Sequence, residues 1–341
     1  MSHMPITTDD FAGTPAVGTT PILRFLKRLG TWDGIGLLGV LVIVYLALAF
    51  TAPNFMTLAN QLNILQQAAF FGIVAFAMTM VIVAGEIDIS VGSMAALSSS
   101  MLGVLVVHTG WPLWIACIVV LISAGVIGAF AGWIRAQFGV PTFIATLALY
   151  LALRGVAYLI TNTFPIPIDA SKFFYWGSGK IFGVVTVAAI YLLAVFIIIA
   201  IVARKTVFGR SIYAVGGNAK SAELSGINVR KIRISVMAIS AVAAAVTGLL
   251  QSAQLSSGNS SIANGLEFDA IAAAIIGGAA LSGGKGTVLG TLIGVLFIAV
   301  LLNGMVMLGV NTYVQQVVRG GVVLIAVLVN VWRGRRAATS P

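Results

Sequence analysis

The chain has 341 residues, of which 60% are hydrophobic and only 8% charged, and its formal net charge is +10. About a quarter of the residues of a soluble domain are charged, so this composition excludes a soluble enzyme or binding module and indicates an integral membrane protein. The single cysteine, Cys117, excludes an internal disulfide and a thiol-based metal cluster.

Ten apolar segments have lengths typical of membrane-spanning helices, since a helix needs about 20 apolar residues to cross the hydrocarbon core. The predicted fold is therefore an all-α bundle. Its spans cover residues 34–50, 60–84, 91–108, 112–134, 141–161, 184–203, 232–252, 268–283, 287–308 and 313–332. The third and eighth spans are short, which predicts broken helices, and a membrane tolerates these only where they face protein or water.

The positions of the basic residues orient these spans. With the N-terminus inside, fifteen of the nineteen Lys and Arg residues fall on the inside, as the positive-inside rule requires. Ten spans then place both termini in the cytoplasm. The charge is spread over loops and both ends, without a basic face that carries aromatic residues, which excludes nucleic-acid binding. We expect a polar cytoplasmic segment over 1–33, one membrane domain over 34–332 and a basic tail over 333–341.

The sequence G-E-I-D-I-S-V-G-S, Gly85–Ser93, places two carboxylates between the second and third spans. A carboxylate at the bilayer centre costs about 2.5–3.5 kcal/mol, so Glu86 and Asp88 must be shielded or used. Asp88 can cap or charge-stabilise the helix that follows. Alternatively, both acids and Ser90 hold a broken backbone that lines a solute path, or bind solute hydroxyls. For Asp88 we expect capping or scaffolding, and for Glu86 both roles stay open.

The loop Thr163–Lys180 is interrupted by prolines and rich in aromatic residues. Tyrosine and tryptophan concentrate at the headgroup level of a membrane, so Phe173, Phe174, Tyr175 and Trp176 are predicted to form an interfacial belt. A docking surface for an external partner is an alternative that is compatible with this belt.

Residues 204–231 form the longest predicted inside loop, and its middle carries the signals of a short helix. Asn218 is a good N-cap, the helix-forming residues A-K-S-A-E-L follow, and Gly226 suits the position after a helix end. A helix over Ala219–Ser225 is too short to be stable alone. It must pack on its own bundle or insert into a groove of a cytoplasmic partner.

A second acid pair, Glu267 and Asp269, repeats the spacing of the first and again precedes a segment rich in small residues. Ten spans divide into five plus five, and an odd number in each half inverts the second half. The two pairs then occupy equivalent places in an inverted repeat, a common plan among transporters. Asp269 is expected to cap or scaffold its helix. Arg154 and Arg319 are intramembrane cations and candidate partners for the acids.

Sparse polar and aromatic residues within the spans are candidates for lining a solute path. These are Gln66, Gln67, Phe70 and Phe71 in the second span, and Gln315 and Gln316 beside Arg319. The alternative for each glutamine is a polar contact between helices.

The run G-G-A-A-L-S-G-G-K-G-T, Gly277–Thr287, is not a phosphate-binding loop. A Walker A motif needs Gly, four residues, then Gly-Lys and Ser or Thr, but Ala279 stands at the first Gly and Gly286 follows the lysine. We expect a tight cytoplasmic turn and then close helix packing at Gly286, Gly290 and Gly294. The sequence shows no paired histidines, cysteine ligands or nucleophile motif. We therefore expect no catalytic site, no metal site and no cofactor in this chain.

Three stretches carry a family resemblance: A-G-E-I-D-I-S-V-G-S-M-A-A-L, G-G-N-A-K-S-A-E-L-S-G-I-N-V and L-E-F-D-A-I-A-A-A-I-I-G-G-A-A-L-S-G-G-K-G-T-V-L-G-T, followed by N-T-Y-V-Q-Q-V-V-R-G. In this order they resemble the permease subunits of ABC importers for sugars of the ribose, xylose and galactoside type. The resemblance covers about residues 33–332. Glu86 departs from the family's common Gly-Gly-Ile-Asp-Leu-Ser-Val-Gly.

The resemblance implies a permease domain in the bacterial cytoplasmic (inner) membrane, paired with a second copy or a paralogue. Two separate subunits would bind ATP and Mg²⁺, and a periplasmic or lipid-anchored binding protein would deliver a monosaccharide or similar polyol. By position, the residues that contact the ATPase subunits would be Gly217, Asn218, Ala222, Glu223, Ser225 and Gly226. The alternatives from the residues alone are a proton-coupled secondary transporter that uses the embedded carboxylates and a passive channel; the coupling-type loop favours the importer.

Overall fold

The computed structural model describes residues 34–169, 173–181, 183 and 185–339, without the side chains of 34–35 and 332–339. The predicted segment 1–33 lies outside the described residues. The helices are α1 (Gly34–Thr51), α2 (Leu58–Val83), α3 (Val91–Gly103), α4 (Leu113–Phe138), α5 (Thr142–Thr161), α6 (Phe173–Ser178), α7 (Val187–Lys205), α8 (Val207–Gly217), α9 (Ala219–Leu224), α10 (Val229–Leu255), α11 (Leu266–Ile276), α12 (Val288–Met307) and α13 (Thr312–Thr339). The strands are β1 (Ile166–Pro167), β2 (Lys180–Ile181), β3 (Val185–Thr186) and β4 (Ser257–Gly258).

Among the described residues, eight helices are long and apolar enough to cross a membrane. They are α2, α3 with its π-helical continuation Val104–His108, α4, α5, α7, α10, α12 and the part of α13 up to Val331. The other two predicted spans correspond to helices that are shorter than these eight. The apolar stretch of α1 is Gly36–Thr51, and α11 has only 11 residues, a length of about 16 Å. The protein is therefore an all-α, multi-pass membrane protein, and the number of ten crossings stays a prediction.

The predicted eighth span, 268–283, was wrong over its second half. Helix α11 ends at Ile276, and a glycine-rich loop follows. Gly278, Gly283 and Gly284 have positive φ angles of 95°, 82° and 72°, which a right-handed helix does not allow. The apolar residues between these glycines hide the break from a hydropathy count.

The predicted inside loop was also wrong in one respect, because it contains a helix that the sequence analysis missed. Helix α8 begins after Thr206, whose hydroxyl accepts a hydrogen bond from the Gly209 amide at 3.0 Å. Ile212 and Val215 are buried on one face of α8. The short helix expected over Ala219–Ser225 is confirmed as α9.

Helix α2 forms the centre of the bundle and packs against α7, α10, α11 and α12. In its most apolar window 89% of the residues are buried, against 6% for α13. Two buried polar contacts join α2 to α12. The hydroxyls of Thr79 and Thr291 lie 2.6 Å apart, and the amides of Asn60 and Asn303 exchange two hydrogen bonds of 2.9 Å. Such contacts stabilise helix pairs inside a membrane.

Glycines bring α11 and α12 into close contact, as the spacing predicted. A Cβ on Gly290 would meet the Gly277 carbonyl oxygen, and a Cβ on Gly294 would meet the Ala273 carbonyl oxygen. Gly286 lies before α12 rather than in it. Gly290 and Gly294 therefore allow the backbones of α11 and α12 to approach closely.

The end of the bundle opposite α9 carries α6 and a two-stranded pairing of β1 with β4. Phe174, Tyr175 and Trp176 of α6 are exposed, as an interfacial belt requires, but Phe173 is buried. Its predicted place in the belt was therefore wrong, because its ring packs into an apolar cluster that contains Leu102.

Candidate functional site

The N-termini of the two short helices, α3 and α11, meet inside the bundle. Gly92, in the first turn of α3, lies against Oε2 of Glu267 and the carbonyl oxygen of Ala263, and a Cβ at this position would overlap both. Glu267 is buried, and within the described part of the chain its Oε2 has no hydrogen-bond partner. A helix N-terminus attracts negative charge. The carboxylate of the second acid pair therefore lies against the start of the helix that follows the first pair.

Neither aspartate occupies the N-cap position of its helix, so that part of the prediction was wrong. The N-cap of α3 is Ser90, and Asp88 Oδ1 accepts hydrogen bonds from the Ser90 amide at 2.9 Å and the Ser90 hydroxyl at 2.6 Å. Asp269 lies within the first turn of α11, whose N-cap is Gly265. Asp88 thus holds the turn that precedes α3, and Asp269 has the position in which a negative charge favours a helix start.

A cavity of about 360 Å³ lies beside the middle of α2, a size typical of small-molecule sites. Its polar and aromatic lining consists of Gln67, Phe70, Phe71, Gln251, Asn264, Asp269, Gln315 and Arg319. Nη1 of Arg319 lies 3.5 Å from Oδ2 of Asp269. Because these two charges offset each other, the cavity offers amide groups and aromatic faces without a net charge.

The structure brings five of the predicted candidates together at this cavity, namely Gln67, Phe70, Phe71, Asp269 and Gln315. Gln66 does not belong to them. Its Nε2 donates a hydrogen bond to the Gly177 carbonyl at 3.0 Å and so contacts α6. Adjacent residues of a helix point about 100° apart, which separates Gln66 from Gln67.

The sequence analysis missed two amides of the cavity, Gln251 and Asn264, which come from the end of α10 and the loop before α11. Of the two intramembrane cations, Arg319 pairs with Asp269. Arg154 Nη1 instead donates to the carbonyl oxygens of Ser260 and Ile262, at 2.9 and 2.8 Å. Arg154 therefore holds the β4–α11 connection in place.

Glu86 lies far from the cavity, at the end of the bundle that carries α9, in a cluster of charges. Its Oε1 is 3.1 Å from Nε of Arg135 and 2.7 Å from Nε of Arg233, and its Oε2 accepts a hydrogen bond from the Thr142 hydroxyl at 2.9 Å. Glu86 is only 3% exposed. This geometry favours scaffolding over solute contact for Glu86. The sequence analysis counted both arginines as inside charges and missed their pairing.

Helix α9 projects from the same end of the bundle. Asn218 caps it by accepting a hydrogen bond from the Ser221 amide at 3.0 Å, and Gly226 follows it with a φ of 84°. Ala222 is buried against the bundle, whereas Glu223 and Leu224 are exposed, Leu224 by 79%. The capped helix thus presents one side chain to the bundle and leaves the acid and the leucine beside it exposed at the end of the molecule. Leu224 was not among the predicted contact residues, although an apolar residue in a short, capped helix could have indicated it.

The base of the α8–α9 connection is built from glycines that bring three segments into backbone contact. A Cβ on Gly216 would overlap the carbonyl oxygen of Val83, at the end of α2. The same oxygen accepts a hydrogen bond from the Gly284 amide at 2.8 Å. Gly283 in turn lies against Gly216 and Gly85. The glycine-rich loop after α11 therefore contacts both the end of α2 and the helix that leads into α9.

Comparison with known proteins identifies the class of this molecule. Residues 60–327 match the family described as branched-chain amino acid transport system / permease component. The chain belongs to this permease family. The match covers nearly all of the described bundle, including the cavity, the two acid pairs and α9.

Curated relatives cover the permease over almost its whole length. It is 49% identical to the probable ABC transporter permease protein YphD of Escherichia coli, over 89% of this chain and 91% of that protein. It is 39% identical to the ribose import permease protein RbsC of E. coli, over 90% and 96%. The xylose transport system permease protein XylH of Haemophilus influenzae is 35% identical, over 89% and 97%. No solved structure matches the chain at a significant level.

Proposed function

We propose that this permease is the membrane-spanning subunit of an ABC importer that carries a monosaccharide or a similar polyol into the cytoplasm. The projecting helix α9, with its exposed Leu224, is the observation that carries the importer, since a secondary transporter or a passive channel has no need of a surface for a separate ATPase. The named functions of the ribose and xylose relatives support a sugar as the solute.

The cavity beside α2 supports an uncharged, hydroxyl-rich solute. Its amides and its ion pair can donate and accept several hydrogen bonds, and Phe70 and Phe71 offer apolar faces to a sugar ring. We propose that the solute passes along this wall and that Asp269, Arg319 and Gln315 contact its hydroxyl groups. Asp88, Ser90 and Glu267 hold the two short helices that frame the path.

The proposed topology has ten crossings in two inverted halves of five, with both termini in the cytoplasm. The domain then covers residues 34–332, between a cytoplasmic segment 1–33 and a basic tail 333–341, in the bacterial inner membrane. The two short helices that meet at Gly92 and Glu267 support the inverted repeat, because transporters of this plan often build their sites from discontinuous helices.

The proposed partners are two ATP-binding subunits, a binding protein outside the membrane and a second copy of this chain or a paralogue. ATP and Mg²⁺ would be bound by the ATPase subunits, so this chain needs no cofactor and no catalytic residue. The proposed contact with these subunits is the α9 segment, through Gly217, Asn218, Ala222, Glu223, Ser225 and Gly226. We include Leu224 in this proposal because its side chain is exposed on α9.

Reconstitution tests this function. The permease is placed in liposomes with its ATP-binding subunit and binding protein, and uptake of radiolabelled D-ribose, D-xylose and L-leucine is measured with and without ATP. We expect ATP-dependent uptake of a sugar that requires all three components. Uptake by this chain alone under a proton gradient, or flux without any energy source, would contradict the proposal. Uptake of leucine instead of a sugar would contradict the solute class alone.

Reversing the charge of Glu223 tests the α9 surface. Glu223 is exposed and pairs with the exposed Lys220 at 3.4 Å, so its own contribution to stability is small. We expect Glu223→Arg to reduce ATP-driven uptake about tenfold, a loss equivalent to about 1.4 kcal/mol, and to leave the melting temperature unchanged. Uptake equal to wild type would exclude Glu223 from the ATPase contact.

A further inference from the structure

We infer that Glu86 is a positioning residue that connects movement of the α9 segment to the segment 84–90 from which α3 begins. The inference rests on the proposed function, because it takes α9 to move when a separate ATPase closes. It goes beyond that function by giving Glu86, Arg135 and Arg233 a specific part in transport.

Arg233 follows the position of α9 because the two are joined by a short, hydrogen-bonded turn. The Ile227 amide donates to the Ala222 carbonyl at 3.0 Å, and Asn228 then caps α10 by accepting from the Lys231 amide at 3.0 Å. Arg233 lies one turn into α10. A displacement of α9 therefore moves the base of α10 and its arginine.

Arg135 belongs to the same moving unit. Helices α4 and α10 are in backbone contact at Gly132, where a Cβ would lie 2.6 Å from the Cα of Ile234 and 3.0 Å from the carbonyl oxygen of Arg233. The same close approach occurs one turn away at Gly128. Because the helices lie this close, the guanidinium groups of Arg135 and Arg233 reach a single carboxylate together.

Glu86 lies on the other side of this contact, in the segment between α2 and α3. Its amide closes the end of α2 by donating to the Val81 carbonyl at 3.1 Å, and residues 87–89 after it form no helix or strand. The amides of Ile87 and Ile89 donate to the hydroxyls of Thr142 and Thr146 of α5, each at 3.1 Å. The Thr142 hydroxyl also donates to Glu86 itself. The path of this segment is therefore set by α5 on one side and by the two arginines on the other.

The three charged side chains are buried to different extents, and this difference determines which of them must follow when the others move. The Glu86 side chain is 3% exposed, whereas those of Arg135 and Arg233 are 24% and 21% exposed. A buried carboxylate without a partner is strongly unfavourable, while the arginines reach water. When α4 and α10 move, Glu86 must follow the guanidinium groups and so move the segment before α3.

Downstream of Glu86, the segment leads directly to the places that frame the solute path. Asp88 holds the turn at Ser90 through two hydrogen bonds, and Gly92 then lies against Glu267 of α11. The neighbouring Asp269 lines the cavity. A shift at Glu86 is thus transmitted through the start of α3 to the start of α11.

The test uses the complete reconstituted importer and compares basal ATP hydrolysis with the hydrolysis stimulated by the binding protein. We expect Glu86→Gln to keep basal ATP hydrolysis within twofold of wild type. Stimulation of hydrolysis by the binding protein should fall at least tenfold, and ATP-driven uptake of D-ribose or D-xylose should fall with it. Arg233→Gln, which leaves the pair with Arg135 in place, should show the same loss in a smaller degree. Gly155→Ala, whose added methyl group meets nothing within 4 Å, serves as the control, with stimulation unchanged.

The double variant Glu86→Gln with Arg233→Gln distinguishes two explanations for a loss of transport: a broken connection between α9 and α3, and a changed net charge of the cluster. It restores the wild-type net charge of the cluster, so recovery of stimulation and uptake would assign Glu86 a purely structural role and overturn the inference. We expect no recovery, and partial function in Glu86→Asp, which keeps the charge. Unchanged stimulation in Glu86→Gln would also overturn the inference, while the proposed function would stand. A wild-type importer without stimulation or sugar uptake would instead contradict the proposed function, and the inference with it.

Discussion

The two acid pairs of this protein have the same spacing and opposite surroundings. Glu86 and Asp88 are enclosed by arginine, threonine and serine side chains, with short contacts to each carboxylate. Of the second pair, Glu267 lies against the N-terminus of α3 and Asp269 lines the cavity with Arg319. Roughly 18 Å of helix α2 separates the level of the cavity from the first pair.

The difference shows that a repeated sequence pattern can divide its tasks between its two copies. The first pair fixes how a short helix begins. The second pair has one acid for the same purpose and one that faces the cavity. The two copies meet where Gly92 lies against Glu267. Variants at either acid pair, or where Gly92 meets Glu267, therefore test whether the two pairs have different roles.

The largest effect is expected where the two copies meet. In Gly92→Ala the new methyl group would overlap Glu267 Oε2 and the Ala263 carbonyl oxygen. Overpacking of this kind costs about 1–3 kcal/mol, and both short helices must shift. We expect a clearly lower melting temperature in detergent and loss of uptake in proteoliposomes.

Gly155→Ala is the matched control, because a methyl group at this helical glycine meets nothing within 4 Å. Adding Glu267→Asp to Gly92→Ala shortens the carboxylate side chain and should recover part of the stability. Equal melting temperatures for Gly92→Ala and Gly155→Ala would contradict the proposed contact between the two copies.

Local signals in the sequence predicted part of this arrangement well. The cap at Asn218 and the glycine at 226 act within one helical turn, so the position of α9 was predicted to within a residue. The sparse polar and aromatic residues Phe70 and Gln315 were likewise predicted, because few such residues occur in an apolar span.

Features that depend on distant segments were beyond the sequence. Nothing near Glu86 indicates that Arg135, 49 residues away, lies beside it. The apolar run at Ile275–Ile276 reads as a continuing span, and only packing shows that α11 ends there. Gln66 and Gln67 are adjacent and identical, so the pattern alone could not assign one to the cavity and the other to α6.

The next largest effect is expected at the acid that faces the cavity. Asp269→Asn removes the partner of Arg319 and leaves the cavity with a net positive charge. We expect at least a tenfold loss of sugar uptake, because the guanidinium then stands in the cavity without its counter-charge, and a half-buried unpaired charge is unfavourable. The binding protein should still stimulate ATP hydrolysis, because the contacts of Glu86 with Arg135 and Arg233 are unchanged.

Asp88→Asn gives the contrast with Asp269→Asn, since Asp88 accepts its hydrogen bonds from Ser90 at the turn before α3. Asp88→Asn should lower the melting temperature more than Asp269→Asn does. Its uptake per folded molecule should fall less than that of Asp269→Asn. The reverse order of the two variants would show that the division of tasks between the pairs is wrong.

A smaller effect is expected at the aromatic wall of the cavity. Phe70→Leu keeps apolar volume but removes the flat face available to a sugar ring, so we expect about a fivefold lower rate of uptake at limiting solute, close to 1 kcal/mol. Phe76 is fully buried next to Phe196, with ring centroids 5.5 Å apart. The control Phe76→Leu should lower stability and leave uptake per folded molecule unchanged. Equal uptake by Phe70→Leu and wild type would remove this wall from the solute path.

The smallest effect on transport is expected at Ser90, within the first pair. Ser90→Ala removes the hydroxyl that donates to Asp88 at 2.6 Å and keeps the backbone hydrogen bond from the same residue. A hydrogen bond to a charged group contributes about 1.5–3 kcal/mol, so the melting temperature should fall while uptake per folded molecule stays within twofold of wild type. Ser211→Ala, which removes an exposed hydroxyl bonded to its own helix, should change neither quantity. A tenfold loss of uptake in Ser90→Ala at unchanged stability, with stimulation of ATP hydrolysis by the binding protein retained, would place the first acid pair on the solute path and remove the distinction between the two copies.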